Sequence, residues 1–418
     1  MKLLTFLGAP RQYYLTEYEW EDQTYTTKYA PDAACRFLQP EEVIIFLTEK
    51  ARNDYFQDFS EKLPEGIKKT PVDIPMGENE NELWRMFEVI CDSVDPGETV
   101  SFDITHGLRA FPLISLLAAA YLRSGLDVRL SAVLYGAFEV RDQGVEPHCT
   151  PMFDLAPLIQ LLEWAAAADR FNRTGDARYL ASLVKSQRKN LAIKANGDPE
   201  KLSEVGRLGN LAGALEDVSR SLRLLRPYRA MKAIHGLPER VEKAMPALEN
   251  SQVHPFQLLL DSILATYKPL ADAEPNDTEK VFKTLEVERG MIRWFAERNH
   301  WVQAVCVARE WLTSWVMAQL GLTDLTSRRD RVRVEKALGA EATEWRISKE
   351  EKHSFQPVFL QRLPDWKGVF TLWQTLTQTR NDIVHVAKNR FPTPPEDLID
   401  NIRECLEDIE HLPLKEAL

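Results

Sequence analysis

Over residues 1–155 the chain alternates short apolar runs with stretches of helical period. Lys2–Ala9 (KLLTFLGA) and Glu42–Thr48 (EVIIFLT) are mostly apolar, the pattern of strands buried on both faces. Ile67–Ile74 is a weaker run of the same kind, and Thr99–Ile104 and Val128–Tyr135 complete the set. Between them lie helical segments. One carries Tyr55, Phe56 and Phe59 on one face. Another, Asn81–Val94, carries Leu83, Met86, Phe87 and Ile90 on one side, with Asn79 as its predicted cap. Pro96-Gly97 marks a turn, and Leu108–Arg123 reads as a long apolar helix. This rhythm predicts an α/β domain, a doubly wound and mainly parallel sheet of Rossmann type. After about Asp154 helical periodicity takes over, most clearly in Leu155–Asp169, Asn210–Leu225, Pro255–Tyr267 and His300–Leu320. Ala271–Asp277, with Pro275 and Asn276, marks a boundary. The predicted organisation is an α/β domain over 1–155, an all-α connector over 156–275 and an all-α domain over 276–418.

Composition changes this picture in a few places. The 418 residues suffice for two or three domains, and 44% hydrophobic with 28% charged content is that of an ordinary globular chain. A net charge of -11 removes any global attraction to nucleic acid, so such contact must come from local patches. Arg328–Arg333 is one basic cluster. The connector holds another, at Lys185, Arg188, Lys189, Arg220, Arg223, Arg226, Arg229 and Lys232, where solvated helix faces are the favoured reading. Five separated cysteines with no CxxC pair support neither a zinc site nor a disulfide framework. The first apolar run is too brief for a secretory signal, and no run is long enough to span a membrane, so the cytoplasm is the expected location. Trp294, Trp301, Trp311 and Trp315 recur at helical spacing and are expected in a core or a helix–helix interface rather than as a base-stacking platform. Neither GxxxxGK[ST] nor GxGxxG occurs, which argues against a P-loop hydrolase or a nicotinamide enzyme.

Two constellations carry candidate chemistry. Asp103-Ile104-Thr105-His106-Gly107 closes a strand just before a helix. Helix N-termini offer unpaired N–H groups to anions, and these side chains add hydrogen bonding. Gly8 ends the first strand, so both stretches are expected to line one crevice beyond the carboxyl ends of the sheet. The second constellation is Arg380-Asn381 with His385, at the end of a helical run from Trp366. Asn381 and His385 share a helix face, and Arg380 lies about 140° around from His385. The trio suits phosphodiester cleavage: His385 moves protons, Arg380 stabilises charge on phosphate and Asn381 orients either. RNA brings its own nucleophile, the 2′-hydroxyl. Glu310, in an otherwise apolar helix, is expected to pair with an arginine, Arg380 being the candidate.

In this order the two constellations resemble one family. Asp103-Ile104-Thr105-His106-Gly107 is similar to the DxTHG motif of CRISPR-associated proteins with an N-terminal CARF domain. Arg380-Asn381 with His385 is similar to the RN-x3-H form of the HEPN ribonuclease motif. Gly8, the Gly77…Glu82-Leu83-Trp84 helix start and Asp154-Leu155 followed by Trp164 add to the likeness. The resemblance implies a type III CRISPR accessory ribonuclease of the Csx/Csm class. Its activator would be a cyclic oligoadenylate, the tetra-adenylate by preference, bound by Gly8, Ala9, Asp103, Thr105, His106, Gly107 and Arg109. It further implies a homodimer or higher even oligomer in which paired HEPN domains join Arg380 and His385 of both subunits in one site. Cleavage of single-stranded RNA without metal or cofactor, leaving a 2′,3′-cyclic phosphate, would follow. Two alternatives stay open: a CARF regulator or partner-binding protein without nuclease activity, and a sheet domain that also degrades its own activator through Thr105 and His106.

Overall fold

The structure is a computed structural model. It describes all residues except 108–109, 143, 145, 250–255, 352–362, 364, 387, 389–390 and 416–418, and omits the side chains of 249, 256 and 340–351. The chain forms two compact units, Met1–Glu163 and Trp164–Leu418. Of the connector expected over 156–275, residues 164–275 lie in the second unit together with the expected terminal domain, 276–418.

In the first unit, eight strands among the described residues make one sheet: β1 (Lys2–Leu7), β2 (Thr16–Trp20), β3 (Gln23–Thr27), β4 (Glu42–Leu47), β5 (Lys68–Asp73), β6 (Thr99–Asp103), β7 (Arg129–Gly136) and β8 (Cys149–Asp154). Their spatial order is β3-β2-β8-β7-β6-β1-β4-β5. The block from β5 to β7 is parallel throughout, whereas β7–β8 and β2–β3 are antiparallel. The helices are α1 (Ala30–Leu38), α2 (Glu49–Lys62), α3 (Glu80–Asp92), α4 (Ala110–Leu126) and α5 (Ala156–Thr174), the division between the units falling within α5.

The predicted strands and helices are present, and three elements add to them. The β2–β3 hairpin alternates glutamate and threonine with aromatics and lacks an apolar run, so its sequence reads as loop. Helix α1 follows it directly. Cys149, expected in a connecting segment, opens β8, which pairs with both β2 and β7.

Strand parity builds two cores. Leu4 and Phe6 of β1 face one side with Ile44, Phe46 and Phe102, under α3, α4 and α5. Phe6 stacks between Phe46 and Phe111, with ring centroids 5.2 and 5.1 Å away. Leu3 and Leu7 face the other side with Val43, Ile45 and Leu47, against Ala30, Ala34 and Phe59 of α1 and α2. Asn79 caps α3 as predicted, its side chain accepting from the Glu82 N–H, while Glu82 accepts from the Gly77 and Glu78 N–H groups.

The second unit is helical: α6 (Arg178–Lys194), α7 (Pro199–Arg223), α8 (Pro227–His235), α9 (Leu237–Glu249), α10 (Phe256–Tyr267), α11 (Val281–Glu297), α12 (Trp301–Gln319), α13 (Arg328–Glu351), α14 (Trp366–Val384) and α15 (Pro395–His411). Helix α12 packs against α11, α13, α14 and α15. Trp311 and Trp315 are buried on it, and their indole N–H groups donate to the carbonyls of Leu285 and Pro413. They are core residues, as the spacing predicts. Glu310 pairs with an arginine, but not with Arg380. Arg331 and Arg309 hold its carboxylate at 2.6 Å each. They come from α13 and from the preceding position on α12, and so reach Glu310 first. No helix among the described residues is long and apolar enough to cross a membrane.

Candidate functional site

The sheet order reverses at β1. After the β2–β3 hairpin at the far edge, the chain adds β4 and β5 on one side of β1, then returns to place β6 on the other. Ligand crevices of open α/β sheets form beyond strand ends at such a switch point. Here the β1 and β6 ends touch: a Cβ on Gly8 would lie 3.5 Å from the Gly107 nitrogen. Gly8, Ala9, Thr105, His106 and Gly107 line one cavity of about 350 Å³. The expected convergence of the two strand ends is therefore present. Arg109 lies outside the described residues.

Asp103 belongs to a different layer. It is fully buried and does not line the cavity. Its two carboxylate oxygens accept from the Thr5 hydroxyl at 2.7 Å and the Thr105 hydroxyl at 2.6 Å, with the Thr105 N–H at 3.2 Å. Burial pushes its pKa up against the pull of these donors. The Thr105 hydroxyl in turn accepts from the Gly136 N–H at 2.8 Å. A chain of polar groups thus pins β1, β6 and β7 beneath the cavity. Its geometry corrects the expectation that Asp103 contacts a ligand: side-chain parity aims it into the sheet, where it holds Thr105 in place. Gly136 is needed for the same fit, since a Cβ there would meet Tyr18 at 2.8 Å and Thr105 at 3.2 Å.

His106 is partly buried, and its Nε2 accepts the Ala30 N–H at 3.1 Å. Ala30 opens α1, whose first N–H groups have no partner within the helix. The imidazole therefore serves as a helix cap, with its proton on Nδ1. Burial lowers its pKa to about 4. Tyr13 meets the ring edge-on at 4.9 Å and donates its phenolic hydrogen to the Gly8 carbonyl at 2.7 Å. The same tyrosine separates this cavity from a neighbouring one of about 280 Å³ lined by Tyr14, Tyr18, Tyr135 and Phe138. As pH falls from 6.5 to about 4, the unfolded chain gains a proton that folded His106 refuses, so the first unit loses stability over that window. A His106→Gln variant is expected to flatten that fall, read as the melting midpoint against pH.

Sequence reasoning missed part of the wall. Thr48 caps α2, so this helix presents its N-terminus to the cavity, and Lys50 in its first turn adds a cation. The anionic preference of the crevice rests on these two features. Thr5 and Tyr13 were missed as well. The only signal for Tyr13 was a tyrosine pair soon after Gly8.

In the second unit α14 runs to Val384 with His385 as its C-cap. Arg380 Nη1 donates to Asn381 Oδ1 at 3.0 Å, and the His385 N–H bonds the Asn381 carbonyl at 2.9 Å. The structure brings the three residues into two successive turns. The His385 side chain is exposed and its imidazole has no hydrogen-bond partner among the described residues. Asp382 accepts from the Thr393 N–H, tying the following segment back to the helix. Val386 has φ 55, a left-handed conformation that costs a β-branched residue about 1–2 kcal/mol. Strain of this kind gathers at functional sites. Of the two basic clusters, Arg331 is committed to Glu310, and in the connector Lys185 is paired with Glu216 and Arg229 with Asp217.

Comparison with known proteins gives three findings. Residues 2–139 match the CARF domain of CRISPR system endoribonuclease Csx1. Residues 160–271 match the second domain of CRISPR-associated protein MJ1674. A stretch of 158 residues, 37% of this chain, is 27% identical to CRISPR-associated protein MJ1674 of Methanocaldococcus jannaschii, and covers 23% of that protein. The alignment thus spans about a quarter of that relative's length. The two domain matches concern residues before Arg380.

Proposed function

We propose, from the chain's membership of the CRISPR-associated proteins that carry a CARF domain, that it is a cyclic oligoadenylate-activated ribonuclease. CARF domains bind cyclic oligoadenylates. The first unit is the sensor and residues 276–418 act as a HEPN nuclease. The observation that carries the nuclease half is the free His385 imidazole one turn beyond the Arg380–Asn381 pair. In the reaction the RNA 2′-oxygen attacks the adjacent phosphorus and the P–O5′ bond breaks. The 5′-oxygen takes a proton, and a 2′,3′-cyclic phosphate remains. His385 moves the proton, and Arg380 stabilises charge on the phosphoryl oxygens.

A ring of several nucleotides exceeds one crevice of about 350 Å³, which suits sharing by two protomers. An apolar face supports that pairing. Leu113, Leu117 and Tyr121 of α4 and Leu158 and Leu162 of α5 are each more than half exposed. The two helices are linked by Arg123 and Glu163 at 2.7 Å. So large an exposed stripe is unusual on a monomer.

The test is cleavage of single-stranded RNA in EDTA, with and without cyclic oligoadenylates of three to six residues. Cutting is expected only with one of these rings. Equal cutting without any ring removes the gating, and binding of a ring without cutting under any condition favours a sensor that has no nuclease.

A further inference from the structure

A second cavity, of about 450 Å³, lies in the helical unit among α8, α11, α12 and α13. Glu288 of α11 lies at its floor with 6% of its surface exposed, and its Oε2 has no hydrogen-bond partner among the described residues. A buried carboxylate normally has its oxygens bonded, and leaving one bare is costly. The neighbouring groups do not satisfy it. Arg331 spends its guanidinium on Glu310, the Ser314 hydroxyl and the Leu325 carbonyl. Burial lifts the Glu288 pKa to about 7, with the Arg331 charge pulling against it and Glu310 adding to it. At the mouth, Arg226 is exposed and has no carboxylate partner among the described residues. Its Nη1 is anchored on the Leu224 and Leu225 carbonyls. Arg229 beside it is neutralised by Asp217. Between floor and mouth the lining is mostly apolar, with Pro227, Tyr228 and Leu325.

The cavity therefore asks for three things at once. It needs an N–H donor for a buried carboxyl, a flat apolar body for the walls and an anion for an arginine. We propose that this cavity binds a purine nucleotide, with the base edge on Glu288, the ring against Pro227 and Tyr228, and the phosphate on Arg226. The ligand is either a free nucleotide or one residue of an RNA strand. Nothing in this assignment depends on Arg380 or His385, so it stands or falls separately from the nuclease reading.

Calorimetric titration of the full chain with AMP, GMP, adenosine and the dinucleotide ApA tests it. Saturable AMP or GMP binding is expected, weakened about tenfold or more by Arg226→Gln and by Glu288→Gln. Adenosine should bind more weakly than AMP and be indifferent to Arg226→Gln. Tighter binding of ApA than of AMP identifies an RNA residue as the occupant, and the reverse identifies a free nucleotide. Arg226 is exposed, so its variant reports on binding rather than folding. Absence of binding at millimolar nucleotide, or binding that both substitutions leave unchanged, overturns the proposal.

Discussion

Alanine in place of His385 is expected to reduce ring-stimulated RNA cleavage by about 10²- to 10⁴-fold, the usual worth of a positioned acid–base group. Affinity for the cyclic oligoadenylate should not change, because His385 belongs to the second unit and the crevice to the first. Folding should not change either. The imidazole is exposed and has no partner among the described residues, so its loss leaves no cavity and no orphaned group. Arg380→Ala is expected to lower the rate as well. Arg380→Lys should restore little of it, since a lysine replaces the planar fork that bonds Asn381 with a point charge. Rates measured in single turnover, with ring binding followed in parallel, separate catalysis from sensing. Undiminished cleavage by the His385→Ala protein would sink the assignment of the site.

The second large effect is on stability. Thr105→Val conserves shape but removes the hydroxyl that both donates to Asp103 and accepts from the Gly136 N–H. A buried carboxylate then loses its shortest hydrogen bond, and a buried amide is left unpaired. The expected cost is about 2–4 kcal/mol, seen as a fall of about 5–15 °C in the melting midpoint of the first unit. Thr105→Ser retains the hydroxyl and should recover most of the loss. Equal melting of the valine and serine variants would show that the hydroxyl network adds nothing.

Much of the fold was legible because its signals are local. KLLTFLGA and EVIIFLT are dominated by apolar residues and are buried on both faces, and the Asn79 cap is written in the residues that follow it. The β2–β3 hairpin was not legible, since TEYEW and QTYTT owe their strand character to pairing with each other and with β8. At the site, the glycines and the Asp-x-Thr-His-Gly spacing located the crevice. The roles within it were a matter of direction. Only register shows that Thr5 lies opposite Asp103, and hence that the aspartate faces a threonine rather than a ligand. The capping contact of His106 was hidden for a similar reason. Its partner Ala30 is far away in sequence, in a helix that the pattern did not reveal. Partners of ionic groups are equally long-range, which is why Glu310 was expected on Arg380 and is found on Arg331.

The Thr5–Asp103–Thr105–Gly136 chain has a consequence for how a signal could leave the sensor. Three adjacent strands are locked together directly under the crevice, so that surface behaves as a fixed stage. One opposite wall is held more lightly. The segment after Gly8 is anchored by single phenolic contacts, Tyr13 to Gly8 and Tyr55 to Pro10, whereas α1 is packed into the core as well as capped by His106. Division of labour follows from this difference in stiffness. On the proposed function the stage would define where an activator rests, and the tyrosine-bearing rim is the part expected to move when it arrives.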